Sequence, residues 1–179
     1  FIKTSGLVNR KITKWITNKL VTFLRRSELK ISRKKVLILG ASYKADIDDI
    51  RESPTIKIIK QLKNAGYDAE YSDPYVKEIN IDGKIKKSIT LNDKCFKKYS
   101  VVLIATDHSI FDYKMIARKS KYLFDARNSK SRYFKKENYF KVWSKFYIFL
   151  LILIIKKVKF AKRIKFNYIN GFISNESNN

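Results

Sequence analysis

The chain has 179 residues, of which 45% are hydrophobic and 14% aromatic, a composition that suffices for a domain with a buried core and excludes a disordered chain. Lys and Arg number 40 against 16 Asp and Glu, for a net charge of +24, which predicts attraction to anions. The lysines are spread along the chain, so the charge does not by itself indicate a nucleic-acid-binding protein. The single cysteine, Cys95, excludes an internal disulfide and favours a reducing, cytoplasmic location. With only one histidine as well, His108, most zinc sites are excluded.

Residues 1–30 predict a helix that precedes the first strand. Apolar residues recur in it at helical spacing, with Lys and Arg on the other face: Val8, Ile12, Trp15, Ile16, Leu20, Phe23 and Leu24. The simplest interpretation is a helix packed on the core of its own domain. A subunit-contact helix is the alternative, because this stretch does not connect two strands.

Residues 31–143 predict an α/β domain. The apolar run "KVLILG" (35–40) is typical of a strand buried on both faces, and the next helix starts at Ser53 as N-cap and Pro54 as first helical residue. Further strands are predicted at 67–73, 101–106 and 121–126, and a second helix at 111–119. We expect residues 75–98 to be irregular, apart from a turn at 82–83 and a short helix around 91–97. Strands alternating with helices predict a Rossmann-like, mainly parallel sheet.

Residues 144–179 predict an atypical apolar and basic tail. The run "FYIFLLILII" (146–155) is followed by "KKVKFAKRIKF", and its ten residues are too few for a membrane span, which needs about 20. The pattern leaves open a buried strand or helix, a basic amphipathic segment on an anionic membrane, and a segment without functional selection. We expect the polar end "ISNESNN" to be disordered. Because the chain starts with Phe1 rather than Met, we expect a fragment of a longer protein.

Polar residues follow the predicted strands at the points where these end. Ligands of open parallel sheets bind beyond the carboxyl ends of the strands, and the residues at those ends are Gly40 to Lys44, Asp73, Thr106 to His108 and Asp125 to Arg127. Lys44, Arg51 and Arg127 would lie near the N-terminus of the helix that starts at Ser53, an arrangement suited to a phosphate. The sequence therefore predicts a nucleotide or another phosphorylated ligand.

The acidic residues of the same loop have a structural interpretation. Asp46, Asp48 and Asp49 would repel a phosphate if they pointed toward it. We expect them to accept hydrogen bonds from backbone donors and to pair with Arg51 or nearby lysines. Their spacing suggests no further ligand, so no metal site is predicted.

These residues also carry a resemblance to a known family. The stretch "GASYKADIDDIRESPTIKIIKQLKNAGYDAEYSDPYV" (40–76), with "VVLIATDHSIFDY" (101–113) and "FDARN" (124–128), resembles the C-terminal, UDP-sugar-binding domain of the UDP-glucose/GDP-mannose dehydrogenases. The shared pattern is G-x-x-[FY]-K-x-x-x-D-D-x-R-x-S-P with a later D-x-R. The first 20 residues are similar to the end of the family's central dimerisation helix, so the resemblance covers about residues 1–130. "YKADIDDIRESP" and "TDHS" are most similar to the branch that oxidises UDP-N-acetylhexosamines, particularly UDP-N-acetylglucosamine 6-dehydrogenase.

The resemblance implies an NAD-dependent, two-step oxidation of the sugar C6 hydroxyl to a carboxylate through a thiohemiacetal on a cysteine. Tyr43, Lys44 and Arg127 match positions that contact the UDP-sugar, and Arg51 matches an arginine directed toward NAD. The family's glycine fingerprint and nucleophilic cysteine have no counterpart in this sequence, and Cys95 has no neighbouring base. No catalytic residue is therefore assigned, and this chain alone is expected to be inactive. The implied partners are the UDP-sugar, a second copy bound through the N-terminal helix, and an NAD-binding domain supplied in cis or in trans.

Two other functions remain open at this stage. The first is a nucleotide-binding module or remnant without catalysis, which predicts saturable UDP binding that depends on Arg127. The second is a basic protein that binds a membrane surface, for which the tail is the candidate segment, or nucleic acid without specificity. That function predicts binding that weakens as salt rises and shows no preference for UDP over other anions.

Overall fold

The computed structural model describes residues 2–26, 35–127, 133 and 138–142, without the side chains of 2–10 and 26. They belong to a compact unit within residues 1–142. The predicted tail at 144–179 lies outside the described residues. No helix in the described part of the chain is long and apolar enough to cross a membrane.

The elements follow one another in an order that alternates strands and helices. The helices are α1 (Ile2–Arg26), α2 (Pro54–Asn64) and α3 (Tyr113–Lys119), with a short 3₁₀ helix at Cys95–Lys98. The strands are β1 (Lys35–Leu39), β2 (Asp68–Ser72), β3 (Glu78–Ile81), β4 (Lys84–Lys87), β5 (Val101–Ile104), β6 (Leu123–Asp125) and β7 (Tyr139–Lys141).

Five of these strands form one sheet in the order β2-β1-β5-β6-β7, and every pair of neighbours in it is parallel. The two central strands, β1 and β5, are apolar on both faces because helices cover both sides. The predicted Rossmann-like α/β fold is therefore confirmed.

The described part of α1 packs on its own domain. Ile16, Leu20 and Leu24 are buried, and the ring of Phe23 lies 5.0 Å from the ring of Phe124 on β6 and 4.7 Å from that of Phe140 on β7. Aromatic rings at such distances attract each other beyond the area that they bury. The apolar stripe read from the sequence thus faces the core.

Helix α2 begins where the sequence predicted. The Ser53 hydroxyl oxygen accepts a hydrogen bond from the Thr55 amide at 3.2 Å, and Pro54 occupies the first turn, where its missing N–H has no helical partner in any case. The same hydroxyl donates to the Ala41 carbonyl at 2.5 Å, which joins the helix start to the loop after β1.

Two expectations about the domain were wrong. Residues 75–98 are not irregular, because β3 and β4 pair as an antiparallel hairpin. Asp82 and Gly83 both have positive φ, 52° and 79°, as a two-residue type I′ turn requires. The sheet also has a fifth strand, β7, whereas the sequence analysis had predicted four strands.

Candidate functional site

The carboxyl ends of β2, β1, β5 and β6 bring the predicted polar residues to one edge of the sheet. Gly40 makes the close approach there possible. Its φ is 87°, and a Cβ added to it would lie 2.4 Å from the Thr106 Cβ at the end of β5, a distance that no side chain tolerates. The loop after β1 therefore runs directly against the end of β5.

The buried carboxylate of Asp73, just after β2, holds this edge together. Its Oδ2 accepts from the amides of Ala41 and Ser42 at 2.6 and 3.1 Å, and its Oδ1 accepts from those of Tyr75 and Val76 at 2.8 and 2.9 Å. Burial alone would raise the pKa of Asp73, but hydrogen bonds from His108 and from these amides outweigh it and lower the pKa to about 2. Asp73 is thus an ionised structural acceptor.

His108 is fully buried beside Asp73. Its Nδ1 accepts a hydrogen bond from the Asp46 amide at 2.9 Å, and because an amide can only donate, the imidazole proton must lie on Nε2. Nε2 is 2.9 Å from Asp73 Oδ2 and 3.3 Å from the Ser42 hydroxyl. Tyr75 and Phe111 flank the ring, with centroids 5.1 and 5.5 Å away. The sequence placed His108 at this edge, and the structure buries its side chain completely there.

The loop between Gly40 and Ser53 presents the predicted ligand contacts. The Tyr43 amide donates to the Asp49 carbonyl at 2.7 Å, and the Ser42 hydroxyl donates to the Lys44 carbonyl at 2.6 Å. The side chains of Tyr43 and Lys44 are both exposed. Within the described residues, the Lys44 ammonium has no ion pair, so its charge is available to an anion.

Asp46 and Asp49, two of the three aspartates of this loop, act as expected. Asp46 Oδ1 accepts from the Ser109 amide at 2.8 Å. Asp49 binds the Arg51 guanidinium with both oxygens, at 3.0 and 2.9 Å, and these bonds lower the pKa of Asp49 to about 2. The Arg51 side chain is 88% exposed, so it lies on the surface of the loop.

Arg127 lies at the end of β6, and two carboxylates position it. Its amide donates to the buried Asp125 at 2.8 Å, and its Nε donates to Asp107 at the end of β5 at 3.2 Å. The other oxygen of Asp125 accepts from the Tyr139 hydroxyl on β7 at 2.6 Å. The D-x-R motif therefore sets the backbone of the arginine through its own aspartate. The sequence analysis had not singled out Tyr139, whose position beside Asp125 follows from the pairing of β6 with β7 and from no local motif.

A cleft of about 490 Å³ opens at the same edge, beside the end of β2. Segments 72–77, 88–91 and 110–115 line it. Its charged lining residues are Lys77, Asp73 and Asp112, so its charge does not favour a diphosphate. The predicted UDP-sugar contacts Tyr43, Lys44 and Arg127 are not among the residues that line this cleft.

The described residues do not fit NAD as a complete binding site. Gly40 packs closely against Thr106 at the end of β5, and the Thr55 amide in the first turn of α2 already donates to the Ser53 hydroxyl, so this amide is not free to bind a pyrophosphate. The chain follows Gly40 with Ala41 and Ser42 and not with the second glycine of a dinucleotide fingerprint. Arg51, the one residue that the sequence analysis assigned to NAD, is exposed on the surface of the loop.

Comparison with known proteins places this geometry in a family. Residues 37–132 match the UDP binding domain of the UDP-glucose/GDP-mannose dehydrogenase family. The UDP-N-acetyl-D-mannosamine dehydrogenase of Methanococcus maripaludis is 27% identical over an alignment of 138 residues that covers 72% of this chain and 30% of that protein. The chain therefore spans about a third of the length of the curated relatives that it matches.

Solved structures agree with that match. The native UDP-N-acetyl-mannosamine dehydrogenase of Staphylococcus aureus is 27% identical, with a TM-score of 0.53 over 75% of this chain and 32% of that one. A UDP-glucose dehydrogenase of Pyrobaculum islandicum, 22% identical, shares the fold with a TM-score of 0.58 over 76% of this chain and 31% of that one. More than half of the sequence and its parallel sheet are thus accounted for, and the chain belongs to the UDP-glucose/GDP-mannose dehydrogenase family, through that family's UDP-binding domain.

Proposed function

We propose that residues 31–143 bind the UDP part of a nucleotide sugar as a section of an NAD-dependent nucleotide-sugar 6-dehydrogenase. The observation that supports this most is the placement of Tyr43, Lys44 and Arg127 at one edge of the sheet, all with exposed side chains. Strands β1 and β6 are two positions apart in the sheet, which separates their ends by about 10 Å. The long side chains of Lys44 and Arg127 can reach one diphosphate across that distance.

Electrostatics at the edge support an anionic ligand even though aspartates outnumber the cations there. Asp73, Asp46 and Asp125 accept hydrogen bonds from backbone amides, and Asp49 is paired with Arg51. Lys44, by contrast, forms no ion pair in the described part of the chain, and its charge acts on Asp49 only at longer range. A charge-assisted contact to phosphate from Lys44 and the remaining donors of Arg127 would be stronger than neutral hydrogen bonds.

The oxidation itself would require the rest of the protein. The named relatives are about three times as long as the matched segment, so we place the NAD domain and the nucleophilic cysteine in the part that this chain does not align with. In this arrangement the Arg51 side chain would reach toward NAD held by the other domain of the protein. We propose a UDP-N-acetylhexosamine as the substrate; the relatives' names favour the mannosamine form, whereas the sequence motifs suggested the glucosamine form.

A homodimer and a cytoplasmic location are part of the same proposal. Since Ile16, Leu20 and Leu24 are buried within the domain, a dimer contact through α1 would have to use the margin of its apolar stripe, where Trp15 and Ile12 are half-buried. Sedimentation velocity of the chain and of a Trp15→Glu variant tests this, because the variant should shift a dimer to monomer. A monomeric unaltered chain would refute the dimer.

The decisive experiment is isothermal titration of the chain with UDP, UDP-N-acetylglucosamine and UDP-N-acetylmannosamine. Arg127→Ala should weaken UDP binding by about 2 kcal/mol, roughly 30-fold, because it removes a charge-assisted contact. Arg118→Ala is the matched control, since Arg118 is an exposed arginine near the end of α3, away from the strand ends. It should leave the affinity unchanged.

Other outcomes would identify the competing functions. Equal UDP affinity in both arginine variants would refute the site assignment. Binding that disappears between low and moderate salt, and that does not distinguish UDP from inorganic phosphate, would instead support a general anion-binding surface.

A further inference from the structure

We propose that His108 is a positioning residue that holds the Tyr43–Lys44 loop in its ligand-binding conformation; this rests on the proposed UDP-binding function. His108 is fully buried, so it does not touch a ligand itself. Its two ring nitrogens instead bind two different parts of the structure, the Asp46 amide and the Asp73 carboxylate, at 2.9 Å each.

The loop is attached on both sides of its exposed residues. Before them, Asp73 binds the amides of Ala41 and Ser42. After them, the Asp46 amide binds His108 Nδ1. Tyr43 and Lys44 lie between these two attachments, so their side chains start from a backbone that is fixed at both ends. A preorganised loop loses less conformational entropy when a ligand binds.

Asp46 has a backbone conformation that requires such an attachment. Its φ is 61°, in the left-handed region, which is unfavourable for a residue with a side chain. The His108 bond to its amide and the Ser109 bond to its carboxylate hold it there. Without the imidazole, Asp46 would keep the Ser109 bond but lose the partner of its amide, so the loop would relax more easily toward a right-handed conformation that moves Lys44.

The two contacts of His108 differ in how replaceable they are. Asp73 keeps four backbone amide donors when the imidazole is removed, so the first attachment survives. Ring atom Nδ1 is the acceptor that the structure gives for the Asp46 amide, so this bond is lost and the second attachment keeps only the bond from Ser109 to the Asp46 carboxylate among the two described above. The Nδ1 contact therefore carries the positioning role, and the Nε2 contact mainly stabilises the fold.

Two amide variants separate these contacts. His108→Asn places its amide oxygen near the position of Nδ1 and keeps an acceptor for Asp46, whereas His108→Gln places its amide nitrogen near Nε2 and keeps a donor for Asp73. We expect His108→Gln to weaken UDP binding about tenfold, the equivalent of one lost hydrogen bond, and His108→Asn to remain within about threefold of the unaltered chain. Urea unfolding should show the larger loss of stability in His108→Asn, which loses the contact to Asp73, so affinity and stability should change in opposite orders.

Hydrogen exchange of the free protein measures the attachment without any ligand. The Asp46 and Tyr43 amides should exchange faster in His108→Gln than in His108→Asn. Equal exchange, or UDP affinity that follows stability alone in both variants, would overturn the positioning role while UDP binding by the unaltered chain stood. Failure of the unaltered chain to bind UDP would refute the proposed function and, with it, this role.

Discussion

Replacing Asp73 with asparagine should destabilise the domain more than any other isosteric change at the sheet edge. Asparagine has an amide nitrogen in place of one carboxylate oxygen, and that nitrogen cannot accept. If the amide nitrogen takes the place of Oδ1, the amides of Tyr75 and Val76 both lose their acceptor. In the unaltered chain they lie 2.8 and 2.9 Å from Oδ1. Two hydrogen bonds to a charged group at about 1.5–2 kcal/mol each give an expected loss of about 3–4 kcal/mol in the free energy of unfolding.

The effect should also depend on pH in a defined direction. The pKa of Asp73 is lowered from 3.8 to about 2 in the folded chain, so its ionised form stabilises the fold above the unfolded pKa. That contribution, about 2 kcal/mol from the size of the shift, is fully present at neutral pH and is lost as the pH falls from about 4 to 2. The stability gap between the unaltered chain and Asp73→Asn should narrow by about that amount over this interval.

Urea unfolding followed by far-UV circular dichroism between pH 2 and pH 7 measures both quantities. Asp68→Asn is the control, because Asp68 is 60% exposed and its ion pairs with Lys35 and Lys86 are 3.5 and 3.7 Å long; it should cost less than about 1 kcal/mol. A loss below 1 kcal/mol in Asp73→Asn, or a gap that stays constant down to pH 2, would refute the role given to this carboxylate.

Three further predictions concern the packing around the site. Gly40→Ala should cost well over 2 kcal/mol in unfolding free energy, since its Cβ would lie 2.4 Å from the Cβ of Thr106. Gly66→Ala is the control, because Gly66 has a similar φ but nothing within 4 Å of an added Cβ, and it should cost only about 1–2 kcal/mol. Equal losses would contradict the close approach at Gly40. Leu20→Ala should cost about 2–5 kcal/mol because the side chain is fully buried, and a loss under 1 kcal/mol would show that α1 is not part of the core. Tyr139→Phe should cost about 1.5–3 kcal/mol by removing a 2.6 Å bond to the buried Asp125, and an unchanged denaturation midpoint would show that β7 does not secure the arginine loop.

The edge of the sheet was predicted well because its signals are local. The N-cap of α2 requires only Ser53 and the amide two residues later, and the apolar runs of β1 and β5 show burial on both faces. The β3–β4 hairpin also has a local signal, although the sequence analysis did not predict its strands. Asp82-Gly83 lies between two stretches in which apolar and polar residues alternate, a pattern typical of a two-residue hairpin turn. That error came from giving the turn signal too little weight and not from a lack of signal.

The amino-acid sequence by itself determined the α/β class, the strand ends and the residues gathered at them, because periodicity, caps and turn residues act over a few positions. Only the tertiary structure decided what those residues do there. His108 lies 35 residues from Asp73 and 62 from Asp46, yet it binds both, since the order β2-β1-β5 brings their loops together. The same holds for Tyr139 and Asp125, which meet because β7 adds to β6. Which strand lies beside which depends on how the whole core packs, and no short stretch of sequence contains that information.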